Sequence, residues 1–469
     1  MLEKLHLLVN LSIVFLVALV FVLALVKGAQ VWKQRFPAAS HLKTARRDNV
    51  NGISFGYALP GLVVYSPEAE EGHVAVFGGS GLGKTTSLLV PTLQKWHGSG
   101  LIIDISGDIC KHVSSKNKVV FAPKDLNTIH YDVFADIDCL DPFDVDNALE
   151  HLAILLMPLP LDAEENAAFF IREGRRILRA ALMAGYHNGL DFVTICEKIT
   201  TLSYVNLFRY IDSLEYAPAS ALLTAFEDTS PKNTAGCKQA CDEAVSAFYA
   251  NAYIRNALRS TAYSGAAISA SSVEECKVFI CIPDEELEAM GPLLHLITAQ
   301  TLEYISARST EAKTQILVAL DEFASLGKLE ILPALRKARK RKTRIMILTQ
   351  SLADLDLVYG KPEREAMLDN FAYKVILGAA SSDSQEFFSR LIGKKDALKR
   401  STTDEGGIFT SSKQTLTTER VPAIEPAALA NLGKRLILLH PAGWVQLVKC
   451  PFYENPAKSA LGFLSPKIG

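Results

Sequence analysis

Residues 78–85 read Gly78-Gly79-Ser80-Gly81-Leu82-Gly83-Lys84-Thr85, and few stretches of eight residues leave a chain so little choice of fold. Glycines at this spacing let the backbone curl until successive N–H groups point inward at a polyphosphate, and a helix N-terminus behind them adds positive potential. Such a loop has to be delivered by a strand and taken up by a helix. Both are present: His73-Val74-Ala75-Val76-Phe77 is an apolar run of strand type, and Thr86-Ser87-Leu88-Leu89-Val90 opens a helix. An α/β domain follows. Lys84 is placed to reach the β- and γ-phosphates and the Thr85 hydroxyl to hold Mg²⁺. Gly78, Gly79, Ser80, Gly81, Leu82, Gly83, Lys84, Thr85 and Thr86 are therefore the candidate nucleotide-binding residues, with ATP and Mg²⁺ as the expected ligands. A glycine-rich turn with an incidental lysine is the bland alternative, and the strand and helix on either side weigh against it.

A second motif complements the first. Ile316-Leu317-Val318-Ala319-Leu320 is a hydrophobic strand that ends in Asp321-Glu322. Asp321 is expected to bind the hydration shell of Mg²⁺, and Glu322 to polarise the attacking water as general base. Two acids after a buried strand can also be a solvated strand end. A water-activating acid favours hydrolysis over transfer to a bound acceptor. A third strand, Arg344–Thr349, ends in Gln350, whose amide is placed to sense the γ-phosphate or simply to cap the strand. Between the last two lies Arg336-Lys337-Ala338-Arg339-Lys340-Arg341-Lys342-Thr343-Arg344, seven basic residues in nine. Such a run is a solvated helix face, a source of an arginine for a neighbouring subunit's ATP site, or a contact for DNA phosphates. Asp104 and Asp108 follow another strand, Leu101–Ile105; Asp104 is a candidate neighbour of the nucleotide and Gly107-Asp108 a turn.

The rest of the chain divides by pattern. Residues 7–26 carry no charge and only two polar side chains, Asn10 and Ser12. At 1.5 Å per residue such a helix spans the hydrocarbon core of about 30 Å. Lys27, Lys33, Arg35, Lys43, Arg46 and Arg47 follow it, so the positive-inside rule puts the C-terminal bulk in the cytoplasm. The run is too long for a signal peptide and lacks a small-residue cleavage site. We therefore expect one N-terminal transmembrane helix in residues 1–27, in the bacterial inner membrane, and a juxtamembrane lead-in over 28–70. Strand-like and helical runs alternate from 71 to 139 and again from 266 to 469, as in a parallel sheet with crossover helices. Between them, residues 140–265 show helical periodicity and almost no strand runs, an all-α block inserted into the nucleotide-binding domain. Residues 401–419, rich in Ser, Thr and Gly, read as a flexible loop.

Composition excludes little. A net charge of −2 creates no global field for nucleic acid, so any such contact must be local. The eight cysteines lack zinc or redox spacing and read as reduced, mostly buried thiols.

The motifs, taken in order, resemble the type IV secretion coupling proteins of the TraG, TraD and TrwB kind over about residues 40–450. The stretches that carry the resemblance are the phosphate loop with Val90-Pro91-Thr92-Leu93-Gln94-Lys95-Trp96, Ile103-Asp104-Ile105-Ser106-Gly107-Asp108, and Asp321-Glu322-Phe323-Ala324-Ser325-Leu326-Gly327-Lys328. Leu348-Thr349-Gln350-Ser351, Leu357-Val358-Tyr359-Gly360 and Leu391-Ile392-Gly393-Lys394 complete it. The resemblance implies a RecA-like P-loop NTPase domain carrying a membrane-distal all-α domain. It also implies a homo-hexameric ring with a central channel at the inner membrane. Such proteins bring a relaxase-bound DNA strand, or protein substrates, to the secretion channel's inner-membrane components and use ATP for transfer; single-stranded and duplex DNA are the expected nucleic acids. Carried over by position, Gly78, Gly83, Lys84 and Thr85 match the phosphate loop, Asp321 and Glu322 the metal-binding and catalytic acids, Gln350 the post-strand glutamine and Arg339 the intersubunit arginine. Lys84, Glu322, Arg339 and Gln350 are thus the candidate catalytic residues.

Two departures stand out: only one membrane segment is visible where many relatives have two, and Pro91 sits inside the helix after the loop, where it should kink it, although the family carries a proline there too and the position reads as tolerated geometry. The C-terminus, ending Ser465-Pro466-Lys467-Ile468-Gly469, shows no acidic tail of the kind some relatives have. Two rival readings are a related hexameric DNA or protein translocase, and a receptor that binds substrates and nucleotide without hydrolysis.

Overall fold

Strands that are apolar without alternation belong in the middle of a sheet, where both faces are covered. In the computed structural model, which describes residues 42–160, 163–259, 267–403 and 413–454, five strands behave this way to different degrees. They run in the order Thr343–Thr349, Ile316–Leu320, Ser99–Asp104, Lys277–Cys281 and Lys118–Phe121, each parallel to its neighbours. Every residue of the first three is buried, whereas the edge strand Lys118–Phe121 buries only Phe121 fully. Gly100 is required by packing: a Cβ there would lie 2.1 Å from the Leu317 carbonyl oxygen of the adjacent strand. The parallel arrangement puts Asp104, Asp321 and Gln350 at or just beyond the C-terminal ends of three consecutive strands, the edge at which open α/β sheets carry ligands.

These strands belong to one of two compact units, made of Glu71–Ala75 and Trp96–Phe371. The same unit holds the helical block. From Pro142 to Leu258 the described residues form seven α-helices and no strand. Their N-termini are set by the sequence: Asp141, Asp191, Ser203, Ser230 and Asn251 each cap a helix through the side chain, and Pro142 and Pro231 occupy first helical positions, where the missing N–H costs nothing. The long pair Glu165–His187 and Pro231–Ala250 pack against each other and bury Cys237 and Cys241.

The other unit takes the described residues up to Glu70, Val76–Lys95, and those from Ala372 onward. Its strands run in the order Lys43–Arg46, Leu62–Pro67, Gly52–Leu59, Gly443–Val448, Arg435–His440 and Tyr373–Ile376, and all neighbours are antiparallel. The expectation of a parallel sheet therefore holds for the first unit and fails here. Two of the five pairings follow from tight reversals, at Pro60-Gly61 between the paired Leu59 and Leu62, and at Pro441-Ala442 between the paired His440 and Gly443. A two-residue loop can only return the chain antiparallel. Phe55 and Tyr373 pack with ring centroids 5.3 Å apart.

Two more readings are corrected. Residues 401–419 are not simply a loop: Lys394–Thr403 and Lys413–Pro422 pair antiparallel along their length, since threonine, being β-branched, suits a strand as well as a turn. Of the eight free cysteines, four are buried (Cys196, Cys237, Cys241, Cys450), three are intermediate and Cys139 is exposed. The apolar run 7–26 lies outside the described residues, and among those described no helix is long and apolar enough to cross a membrane.

Candidate nucleotide site

The phosphate loop begins where the strand Val74–Phe77, buried at every position, runs out. Gly81 and Gly83 adopt φ of +75° and +94°, left-handed conformations that only glycine holds without strain. Lys84 is buried, and its Nζ donates to the Gly78 carbonyl oxygen at 2.9 Å, so the lysine lies across its own loop. Beyond it, Thr85–Leu89 forms a wide π turn in which the Val90 N–H donates to the Thr85 carbonyl five residues back. The α-helix proper is Val90–Lys95. The disturbance expected of Pro91, whose nitrogen cannot donate, thus takes the form of a π turn directly ahead of it rather than a kink. Thr92 holds this helix to the sheet by accepting the Ser54 N–H at 3.1 Å.

Beside the loop opens a cavity of about 210 Å³. One wall is Gly81, Leu82, Gly83, Thr86 and Ser87; the other comes from far along the chain and includes Lys434, Lys449, Tyr453 and Glu454. The Phe452 N–H donates to the Thr86 carbonyl at 3.0 Å. Arg47 holds the same segment, donating to the Phe452 carbonyl at 2.8 Å and the Glu454 carbonyl at 3.0 Å. Burial lowers the Lys449 ammonium to about 8. Sequence reasoning missed this second wall, because no motif marks residues 433–454 and the contacts that place them are tertiary.

The acidic motif is built in the other unit. Asp321 is buried at the end of its strand, and its Oδ1 accepts the Glu322 N–H at 3.2 Å. Glu322 adopts φ +45° and ψ +50°, a left-handed conformation that costs a non-glycine residue on the order of 1–2 kcal/mol. Strain of this kind persists where the surroundings enforce it, and it gathers at functional sites. Gln350 Nε2 donates to Glu322 Oε2 at 3.3 Å, so the structure brings Asp321, Glu322 and Gln350 together. The turn after Glu322 is held from below: Phe323 stacks on Tyr359 at 5.5 Å, and the Tyr359 hydroxyl accepts the Leu329 N–H at 3.2 Å and donates to the Gly327 carbonyl at 3.4 Å. Asp321 in this unit carries a carboxylate and Thr85 in the other a hydroxyl, each an oxygen donor of the hard kind magnesium takes.

Asp104 is fully buried, with Oδ1 accepting from the Ser106 hydroxyl at 3.1 Å and Oδ2 from the Cys110 N–H at 2.7 Å. Its carboxylate builds the turn after its strand. Asp108 is exposed and pairs with Lys111 at 3.3 Å.

The basic run is divided by the fold. Residues Ile331–Lys337 are helical and Ala338–Arg341 form a 3-10 turn. Arg344 is buried and donates to the Gly72 carbonyl at 2.8 Å. Arg341 exchanges hydrogen bonds with Arg308, its guanidinium on the Arg308 carbonyl and the Arg308 guanidinium on its own. Arg336 and Arg339 are exposed, and Arg339 Nε pairs with Glu71 at 3.0 Å. Two of the four arginines are thus structural, and two face outward.

A glycine-rich loop after a buried strand in one unit, and a buried Asp followed by a strained Glu in the other, are features of a nucleotide-binding α/β protein. The family described as Type IV secretory system Conjugative DNA transfer matches residues 38–453, and the chain belongs to it. Protein VirD4 of Agrobacterium fabrum (strain C58 / ATCC 33970) is 23% identical over 420 residues, which cover 83% of this chain and 60% of that protein. The chain thus spans about three fifths of the length of such a relative. The fold is that of the bacterial conjugative coupling protein TrwBdeltaN70, with a TM-score of 0.68, 19% identity, and coverage of 90% of this chain and 98% of that one. The plasmid coupling protein TrwB in complex with ADP and Mg²⁺ superposes with a TM-score of 0.65 at 19% identity, covering 88% of this chain and 96% of that one.

Proposed function

We propose that the chain is a membrane-anchored ATPase that couples a relaxase–DNA complex to a type IV secretion channel and drives DNA transfer in conjugation. The observation that carries the hydrolytic part is Glu322, held in a strained conformation after a buried Asp321, with its carboxylate met by Gln350. The family assignment carries the rest, together with the nucleotide and Mg²⁺ named for TrwB.

In this reading the loop N–H groups and Lys84 hold the β- and γ-phosphates. Thr85 and Asp321 would hold Mg²⁺, which would supply neutralisation of charge on the phosphates. Glu322 accepts the proton of the attacking water, and Gln350 keeps its carboxylate oriented for that task. Arg339 serves the site of a neighbouring subunit in a homo-hexamer, where it offsets charge on the transferring phosphoryl. Residues 7–26 anchor the protein in the bacterial inner membrane with the catalytic part in the cytoplasm. The helical block selects the relaxase-bound cargo.

Steady-state ATP turnover of the full chain tests the chemistry. Lys84→Ala is expected to abolish turnover. Glu322→Gln should bind ATP and lower kcat by about 10²–10⁴, the range for a lost general base. Turnover at the wild-type rate in either variant would refute the assignment.

A further inference from the structure

The cavity beside the loop is more than a crevice, because its far wall is fixed. Three hydrogen bonds to its backbone secure Pro451–Glu454: the Phe452 N–H donates to the Thr86 carbonyl, and the Arg47 guanidinium donates to the carbonyls of Phe452 and Glu454. On this anchored segment Tyr453 is 66% exposed, and the Phe452 ring meets it edge-on at 5.3 Å. A large aromatic on an anchored backbone, left open to this degree, offers a face to a planar partner. The remaining lining joins donors, Lys434 and Lys449, to an acceptor, Glu454. A purine presents both kinds of group around its edge. The near wall includes Thr86, one residue past the motif that takes the phosphates. With Lys84 at the β/γ end, the α-phosphate end of a bound nucleotide leads toward Thr86.

We propose that this cavity receives the nucleoside end of the nucleotide, with Tyr453 stacked on a purine base and Lys434, Lys449 and Glu454 facing its polar edge. The inference rests on the nucleotide-binding reading above and adds to it the residues that make the ligand a nucleoside triphosphate rather than any polyphosphate. Base–aromatic stacking lost to alanine weakens binding by about tenfold.

Equilibrium binding of ATP and of inorganic tripolyphosphate, both with Mg²⁺, to the full chain in detergent separates the two readings. Wild type is expected to bind ATP more tightly than tripolyphosphate. Tyr453→Ala should weaken ATP about tenfold and leave tripolyphosphate unchanged, while Tyr453→Phe keeps wild-type affinity for both. Unchanged ATP affinity in Tyr453→Ala overturns the proposal. So does an equal loss for ATP and tripolyphosphate, since that marks a disturbed loop rather than a lost stack. Wild type that binds neither ligand, or Lys84→Ala that binds both as well as wild type, overturns the nucleotide reading itself and this inference with it.

Discussion

At the scale of single residues, His73 shows how the chain fixes a polar side chain in its core. Its Nε2 donates to the Leu335 carbonyl at 2.9 Å, and its Nδ1 accepts the Ile345 N–H at 2.9 Å, so both nitrogens are used and one neutral tautomer is selected. Burial lowers its pKa to about 4, and the charges of Arg344 and Arg339 act in the same direction. Because the folded value lies below the unfolded value of 6.5, the unfolded chain binds the extra proton between pH 6.5 and 4. This contribution to stability is therefore intact above pH 6.5 and drains away as the pH falls toward 4, by roughly 3 kcal/mol in total. Urea unfolding followed across that window should show the loss. His73→Asn, less stable at pH 7, should lose less than wild type on acidification, so that the gap between the two narrows. Neighbouring residues extend the same bracket: the Gly72 carbonyl accepts from Arg344, and Glu71 pairs with Arg339. Three consecutive residues ahead of the strand Val74–Phe77 thus fasten the segment that carries the basic run.

At the scale of elements, the parallel strands were legible and most of the antiparallel ones were not, the apolar runs within Tyr373–Ile376 and Arg435–His440 being the exceptions. Ile316–Leu320 and Thr343–Thr349 are buried throughout, so their composition alone marks them. Gly52–Leu59 opens on a glycine, contains another and bears two register shifts against its partner, which blurs any period of two. The acids, the glutamine and the phosphate loop were readable because each is local to a strand end. What stayed hidden depends on distant partners: the tie of Arg341 to Arg308, the burial of Arg344, and the wall formed by residues 433–454. Gly100 is the element-scale weak point. Gly100→Ala would press a methyl group onto the Leu317 carbonyl of the neighbouring strand, and a loss of about 3 kcal/mol or more in chemical denaturation is expected from forcing those strands apart. Gly107→Ala, where the built Cβ meets nothing within 4 Å, should cost only the strain of its left-handed backbone, about 1–2 kcal/mol.

At the scale of the whole molecule, a net charge of −2 places the burden of any DNA contact on local patches. Arg336, Lys337, Lys340 and Lys342 are exposed on one short stretch, which is such a patch. If transfer of DNA is the function, ATP turnover by the full chain should rise on adding single-stranded or duplex DNA. That stimulation should fall steeply as salt is raised from about 50 to 200 mM, as counterion release requires. Basal turnover indifferent to DNA at every salt concentration would instead favour a protein-translocating motor.

The attachment of Phe452 and Glu454 to Arg47 also sets a timetable. The Arg47–Glu454 bond joins residues 407 positions apart, and chains leave the ribosome N-terminus first. A nascent chain thus carries its phosphate loop long before it owns the second wall of the cavity beside it. Ribosome-bound intermediates and prematurely terminated products hold an unfinished pocket, and the cell meets a complete one only after Glu454 has emerged.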